Sequence, residues 1–122
     1  MDHSYQIINL VVEWCKNNLS DPAIKRRKPL LVMVHRSSVR EAYGEYCERN
    51  NWLAINLGVC DVVRDIVSTT IHEYCHFCQD LKPYCSIMRE VGYDNHPQEI
   101  EAREYEKKYT ETCWKNIRGL LN

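Results

Sequence analysis

Residues 69–78 read Thr-Thr-Ile-His-Glu-Tyr-Cys-His-Phe-Cys, and the reading of the rest of the chain turns on His72 and His76, four residues apart. On a helix, positions i and i+4 stand one above the other, so two imidazoles at that spacing can present nitrogens to a single ion. Glu73 lies beside them and, in an HExxH arrangement, is not a ligand. Its carboxylate takes a proton from a water activated by the ion and later returns it to a leaving amine. Two surface histidines without a role would fit the same pattern, so the flanking sequence decides.

From about Cys60 to Asp80 the apolar residues Val63, Ile66, Val67, Thr70, Ile71, Tyr74 and Cys78 recur at three and four, the helical spacing. They share one side of the predicted helix, and His72 and His76 project from the other. A buried structural histidine is therefore not the reading here. Gly58 breaks the preceding segment, Asp61 is the predicted cap, and Lys82-Pro83 is the predicted stop after Leu81.

At 122 residues the chain is long enough for one core, and a single domain over 1–122 is expected. Its apolar and charged fractions, 44% and 27%, are those of an ordinary globular protein, which excludes a disordered chain. A net charge of −1 supplies no global field for nucleic acid or an anionic membrane. No 18-residue apolar run and no secretory leader are present in the sequence, so the expected compartment is a cytoplasm. Seven cysteines, an odd number, are read in that setting as reduced thiols. Cys75, Cys78 and Cys85 lack the paired CxxC spacing of a structural metal site and read as small core residues.

Working outward, Asp2 or Ser4 can cap a first helix reaching Leu19, with Ile7, Ile8, Val11, Val12 and Cys15 on one stripe, and Ser20-Asp21-Pro22 ends it. The basic run Lys25-Arg26-Arg27-Lys28 has no interleaved aromatics and reads as a solvated loop. Leu30 to His35 is a predicted buried strand. Glu41 to Glu48, a turn at Arg49-Asn50-Asn51, and Trp52 to Leu57 form a predicted hairpin. The returning strand alternates Leu53, Ile55 and Leu57 with Trp52, Ala54 and Asn56, and is read as an edge that an extended ligand can pair with. Residues 82–96 read as an irregular loop. A last helix starts with Pro97 in its first turn and carries Ala102, Tyr105, Tyr109, Cys113, Ile117 and Leu120 on one side. The expected fold is α+β: an N-terminal helix, a three-stranded, mostly antiparallel sheet, the motif helix and a C-terminal helix.

A catalytic zinc site needs three protein ligands and one open position. The three-histidine solution HExxHxxGxxH would place Gly and His where this chain has Gln79 and Lys82. A glutamate on a later helix is the other common solution, and Glu99 and Glu101 both open the last helix. Three pieces, Tyr-Gly-Glu-Tyr with Leu-Ala-Ile-Asn, Thr-Ile-His-Glu-Tyr-Cys-His and Glu-Ile-Glu-Ala, resemble the gluzincin metallopeptidases, in particular the minimal ImmA/IrrE type and its phage and mobile-element relatives. The resemblance implies a zincin-like fold, one zinc per chain held by His72, His76 and Glu99, and a substrate cleft bordered by the strand containing Ala54 and Asn56. Helix direction also favours Glu99, which shares the inward side with Ala102, Glu106 and Cys113 while Glu101 is turned away. Relatives carry Asp or Asn after the Ala to steady a ligand histidine. This chain has Arg103 there, which can pair with Glu99 or Glu73 instead.

The expected activity is zinc-dependent hydrolysis of a peptide or protein substrate, with Glu73 as general base and His96, Tyr93 or Tyr105 stabilising the transition state. The competing expectation is a zincin-fold interaction module with little or no turnover, for which Arg103 speaks. No membrane or nucleic-acid partner is expected, and the cytoplasm is that of a bacterium or an infected host cell. Oligomeric state and substrate identity are not legible in the sequence.

Overall fold

The stripe Ile7, Ile8, Val11, Val12 and Cys15 becomes the buried face of α1 (Ser4–Asn18) in a computed structural model that describes residues 3–19, 29–37 and 42–121. The cap position is His3, with no side-chain cap bond, and Ser4 is already helical; Asp2 and the basic run 25–28 lie outside the described residues. β1 (Leu31–His35), β2 (Gly44–Cys47) and β3 (Trp52–Asn56) form one sheet, followed by α2 (Val63–Cys78), α3 (Tyr84–Val91), α4 (Pro97–Ile117) and a 3-10 turn, Arg118–Leu120. Among the described residues this is an α+β arrangement of four α-helices and a small mixed sheet.

The sheet departs from the mostly antiparallel, β3-at-the-edge expectation. Its order is β1-β3-β2, with β1 parallel and β2 antiparallel to β3. β3 is therefore the central strand. Its burial explains why: Leu53, Ala54, Ile55 and Asn56 are all buried, so both faces are covered, which suits a middle strand and not a half-solvated edge. Ala54 and Asn56 accordingly offer no free edge to a ligand. That position belongs to β2, whose outer side borders the cleft described below. The hairpin turn 48–51 places Asn51 at φ 53, and its side chain accepts from Tyr46 Oη at 2.6 Å and donates to the Pro29 carbonyl at 3.2 Å.

Asn56 is fully buried and acts as a clasp. Its Oδ1 accepts from Ser37 N at 3.0 Å and Gly58 N at 2.9 Å, while Nδ2 donates to the carbonyls of Ser37 and Ala42 at 3.0 and 3.2 Å. Gly58 permits this crossing, because a Cβ there would lie 2.7–2.9 Å from the Ser37 backbone.

α2 is buried nearly all round. Ile66, Val67, Ile71 and Tyr74 join α1 and β3 in the core, and the opposite side, with His72 and His76, is covered as well. Val62 occupies its cap position without a side-chain bond, in place of Asp61, and the helix ends at Cys78 rather than Leu81. Residues 82–96 are not an irregular loop, since α3 occupies Tyr84–Val91. Tyr84, Ile87, Met88 and Val91 keep the i, i+3, i+4, i+7 pattern between Pro83 and Gly92, a short helical signal framed by two residues that usually mark loops. Trp14, Tyr109 and Cys113 close the core against α4, and none of the seven cysteines is joined in a disulfide.

Asn56→Ala removes four hydrogen bonds to the backbone of Ser37, Ala42 and Gly58, and at roughly 0.5–1.5 kcal/mol net for each it should destabilise the fold by about 2 kcal/mol or more. Urea unfolding of the variant checks this; an unchanged midpoint would refute the clasp.

Candidate metal centre

α2 and α4 pack side by side, and their facing surfaces carry the polar residues. His72 and His76, one turn apart, both aim Nε2 at the same oxygen, Oε1 of Glu99 in the first turn of α4, at 3.0 and 3.1 Å. One donor atom from each of the three residues lies within 4.8 Å of the others, and all three residues are buried. Among the described residues this is the only group of three or more histidine, cysteine, aspartate or glutamate side chains that converges so, and it could hold a metal ion. Cys75, Cys78 and Cys85 form no such group. Burial and the neighbouring Glu101 push the Cys75 thiol well up, leaving it a protonated core thiol.

The outer ring nitrogens orient the site. His72 Nδ1 donates to Glu106 Oε2 at 2.7 Å, and His76 Nδ1 donates to Gln79 Oε1 at 2.7 Å. With both Nδ1 atoms engaged as donors, a neutral ring carries its lone pair on Nε2, the atom facing Glu99. This is the tautomer a metal requires, and it is the observation on which the fit of a divalent ion rests. Gln79 is held in turn, its Nε2 donating to the Gln98 carbonyl at 2.9 Å and to Glu101 Oε1 at 2.8 Å. Glu101 thus stays away from the cluster and buttresses it. Glu106, two turns beyond Glu99 on α4, is too far along the helix to share an ion with it and meets the other nitrogen of His72 instead.

Tyr84, which the sequence reading passed over, completes the arrangement. Its hydroxyl donates to Glu99 Oε2, leaving Oε1 for the two imidazoles. Its ring lies 4.2 Å from that of His96, whose Nε2 donates to the Tyr84 carbonyl at 3.0 Å. His96 is fully buried, and its Nδ1 accepts from Gln98 N as the N-cap of α4. Both ring nitrogens are committed, so His96 is structural and does not face the cleft. Tyr105 packs on Tyr109 beside the core and is likewise away from it, whereas Tyr93 does line the cleft. Arg103 pairs with neither Glu99 nor Glu73. It donates to the Asp94 carbonyl at 2.9 Å and lies over the Tyr93 ring.

Glu73 sits on the cleft side of α2, 6% exposed and with no hydrogen bond to its carboxylate among the described residues. Burial raises it to about 7, with His72 and His76 opposing part of that rise. Gly44 lets β2 approach at this point, since a Cβ on it would meet Thr69 Cγ2 at 2.7 Å and Glu73 Cγ at 3.3 Å. The cleft between β2, α2, α3 and α4 has a volume of about 910 Å³. Comparison with known proteins returns no matching family model, no similar curated protein and no similar solved structure. Among the described residues, no helix is long and apolar enough to cross a membrane.

Burial opposes charge on His72, but its bonds to Glu106 and Glu99 prevail and lift it from 6.5 to about 10; His76 is raised too. Glu99, despite burial, is held well below the usual carboxylate range by His72, His76 and Tyr84. In metal-stripped protein the His72 contribution to stability is complete below pH 6.5 and is lost as pH rises through about 10. Thermal unfolding should therefore show stability declining over that interval. Because a metal must displace these protons, zinc binding at pH 7.5 should release about one proton or more, measurable by titration calorimetry in buffers of different ionisation enthalpy. Zinc affinity should fall most in Glu99→Ala, by ~10–100-fold in Glu106→Ala, and by less than about tenfold in Glu101→Ala. A chelator-competition series in which Glu101→Ala is the worst of the three would overturn this assignment.

Proposed function

We propose that this protein is a zinc-dependent peptidase of minimal zincin type, with His72, His76 and Glu99 as ligands and Glu73 as general base. The observation that carries the reading is the pairing of metal-ready nitrogens with a buried carboxylate that has no hydrogen-bond partner among the described residues and opens on the same cleft. Zinc is the ion best suited to a buried two-imidazole, one-carboxylate set, and when bound it supplies Lewis acidity that activates water and polarises a carbonyl.

The chain's own residues account for the remaining work. Glu73, near 7, is basic enough to accept a proton from water and acidic enough to return it to a leaving amine. Tyr84 steadies the third ligand: its one O–H, kept protonated by burial and Glu99, is given to the Glu99 carboxylate. Of the three predicted transition-state stabilisers, Tyr93 lines the cleft and takes the role of donor to a developing oxyanion in preference to His96 and Tyr105. β2, as the strand at the cleft side of the sheet, offers a border along which an extended peptide backbone can lie. The interaction-module reading rested on Arg103 and a missing support for a ligand histidine. Glu106 supplies that support, and Arg103 is engaged by Asp94 and Tyr93.

Zinc-loaded protein should cleave members of a degenerate peptide library, and Glu73→Gln should keep its zinc while cleavage falls by ~10² or more. Activity should decline as pH falls through about 7 or somewhat below, because Glu73 must be ionised and a bound dication favours its charged form. A Glu73→Gln protein that cleaves like the parent would sink the reading.

A further inference from the structure

Of the described residues lining the cleft, Glu45, Glu48, Asp65, Glu73, Glu99 and Glu106 are acidic, and Arg103 is the sole lysine or arginine. The metal chemistry accounts for only part of this charge. A divalent ion would offset Glu99 and Glu73, and Glu106 is bound to His72, which leaves Glu45, Glu48 and Asp65 with no part in the site, the last two at its ends. Their positions are informative. Asp65 is in the first turn of α2, seven residues before His72 and so ~10 Å along the helix axis. Glu48 follows β2, and its Oε2 accepts from the backbone N of Leu81 at 3.3 Å, beyond the opposite end of α2. Carboxylates thus stand at both ends of the cleft with the candidate metal centre between them. Arg103 does not neutralise them, being drawn to Asp94 and the Tyr93 ring.

We infer that the cleft selects a basic polypeptide segment, one carrying Lys or Arg side chains on both sides of the bond that lies over the metal centre. The inference rests on the peptidase reading for the bond but not for the binding preference. A groove walled by a strand on one side and low-dielectric protein on the others focuses the field of its carboxylates, which concentrates cationic ligands and rejects anionic ones such as nucleic acid. Glu73, nine-tenths buried, facing the same cleft and without a hydrogen bond to its carboxylate among the described residues, marks it as a place built to meet a ligand.

The test uses full-length, zinc-loaded protein and two fluorescent twelve-residue peptides that differ only in Lys against Glu at alternate positions. Binding is read by anisotropy in the Glu73→Gln background, where the peptide stays intact, and cleavage by mass spectrometry with the parent protein. The Lys peptide should bind at least about tenfold tighter at low ionic strength, a preference that shrinks in 0.5 M salt and in Glu48→Gln plus Asp65→Asn. Equal binding of the two peptides, no binding of either, or a preference untouched by salt would overturn the inference. So would spermidine matching the Lys peptide in affinity, because the ligand would then be a small polyamine. If the double variant does not fold, the comparison of the two peptides and its salt dependence still decide the matter. Selective binding without cleavage of any peptide sustains this inference and removes the peptidase reading; indiscriminate cleavage does the reverse.

Discussion

A single carboxylate oxygen, Glu99 Oε1, accepts from two imidazoles on the neighbouring helix, and much of the structure serves to make that contact tolerable in a buried place. Burying two histidines and a glutamate is unfavourable unless every remaining polar atom is satisfied. Here each is. Glu106 and Gln79 hold the outer nitrogens, Tyr84 holds the second oxygen, and Glu101 and the Gln98 carbonyl hold Gln79. The network spans α2, α3 and α4, so it ties the three helices together alongside their apolar packing.

The same requirement explains why Glu73 stands apart. Its neighbours on α2 have their partners, but its own carboxylate has none among the described residues and is raised by burial. A group in that condition is costly to the fold and useful in proton transfer, a combination that points to a site rather than to packing. Gly44 belongs to the same arrangement. It brings β2 close enough that the border of the cleft and Glu73 lie side by side, and a side chain there would push on Thr69 and Glu73 together. Asn56, buried in the central strand, holds the connection before β2 against the end of β3 and so sets where that border runs.

Much of this was readable from local pattern. The apolar stripes of α1 and α2, the turn at residues 49–51, the start of α4 at Pro97 and the direction of Glu99 each depend on residues within a few turns of one another, where helical and strand periodicity speak directly. α3 was hidden because its eight residues lie between Pro83 and Gly92, and their breaker signal outweighs about two amphipathic turns. The strand order was hidden for a different reason. Alternation along Trp52 to Asn56 says that one face is apolar; whether the other is solvent or protein depends on where β1 docks, and that is a long-range pairing with no local signature.

The sequence by itself pointed to the His72, His76 and Glu99 cluster, because the i, i+4 spacing of the histidines and the inward direction of Glu99 in the first turn of a later helix follow from helix geometry, and the family resemblance chose the same glutamate. Only the tertiary structure decided what surrounds them. Tyr84 reaches Glu99 across fifteen residues and Glu106 reaches His72 across thirty-four, through contacts between separate helices whose docking no local pattern encodes. His96 shows the converse: chemically apt as a ligand and near in sequence, it is turned inward to cap α4, because a buried imidazole must satisfy both of its nitrogens and the nearest partners are backbone groups.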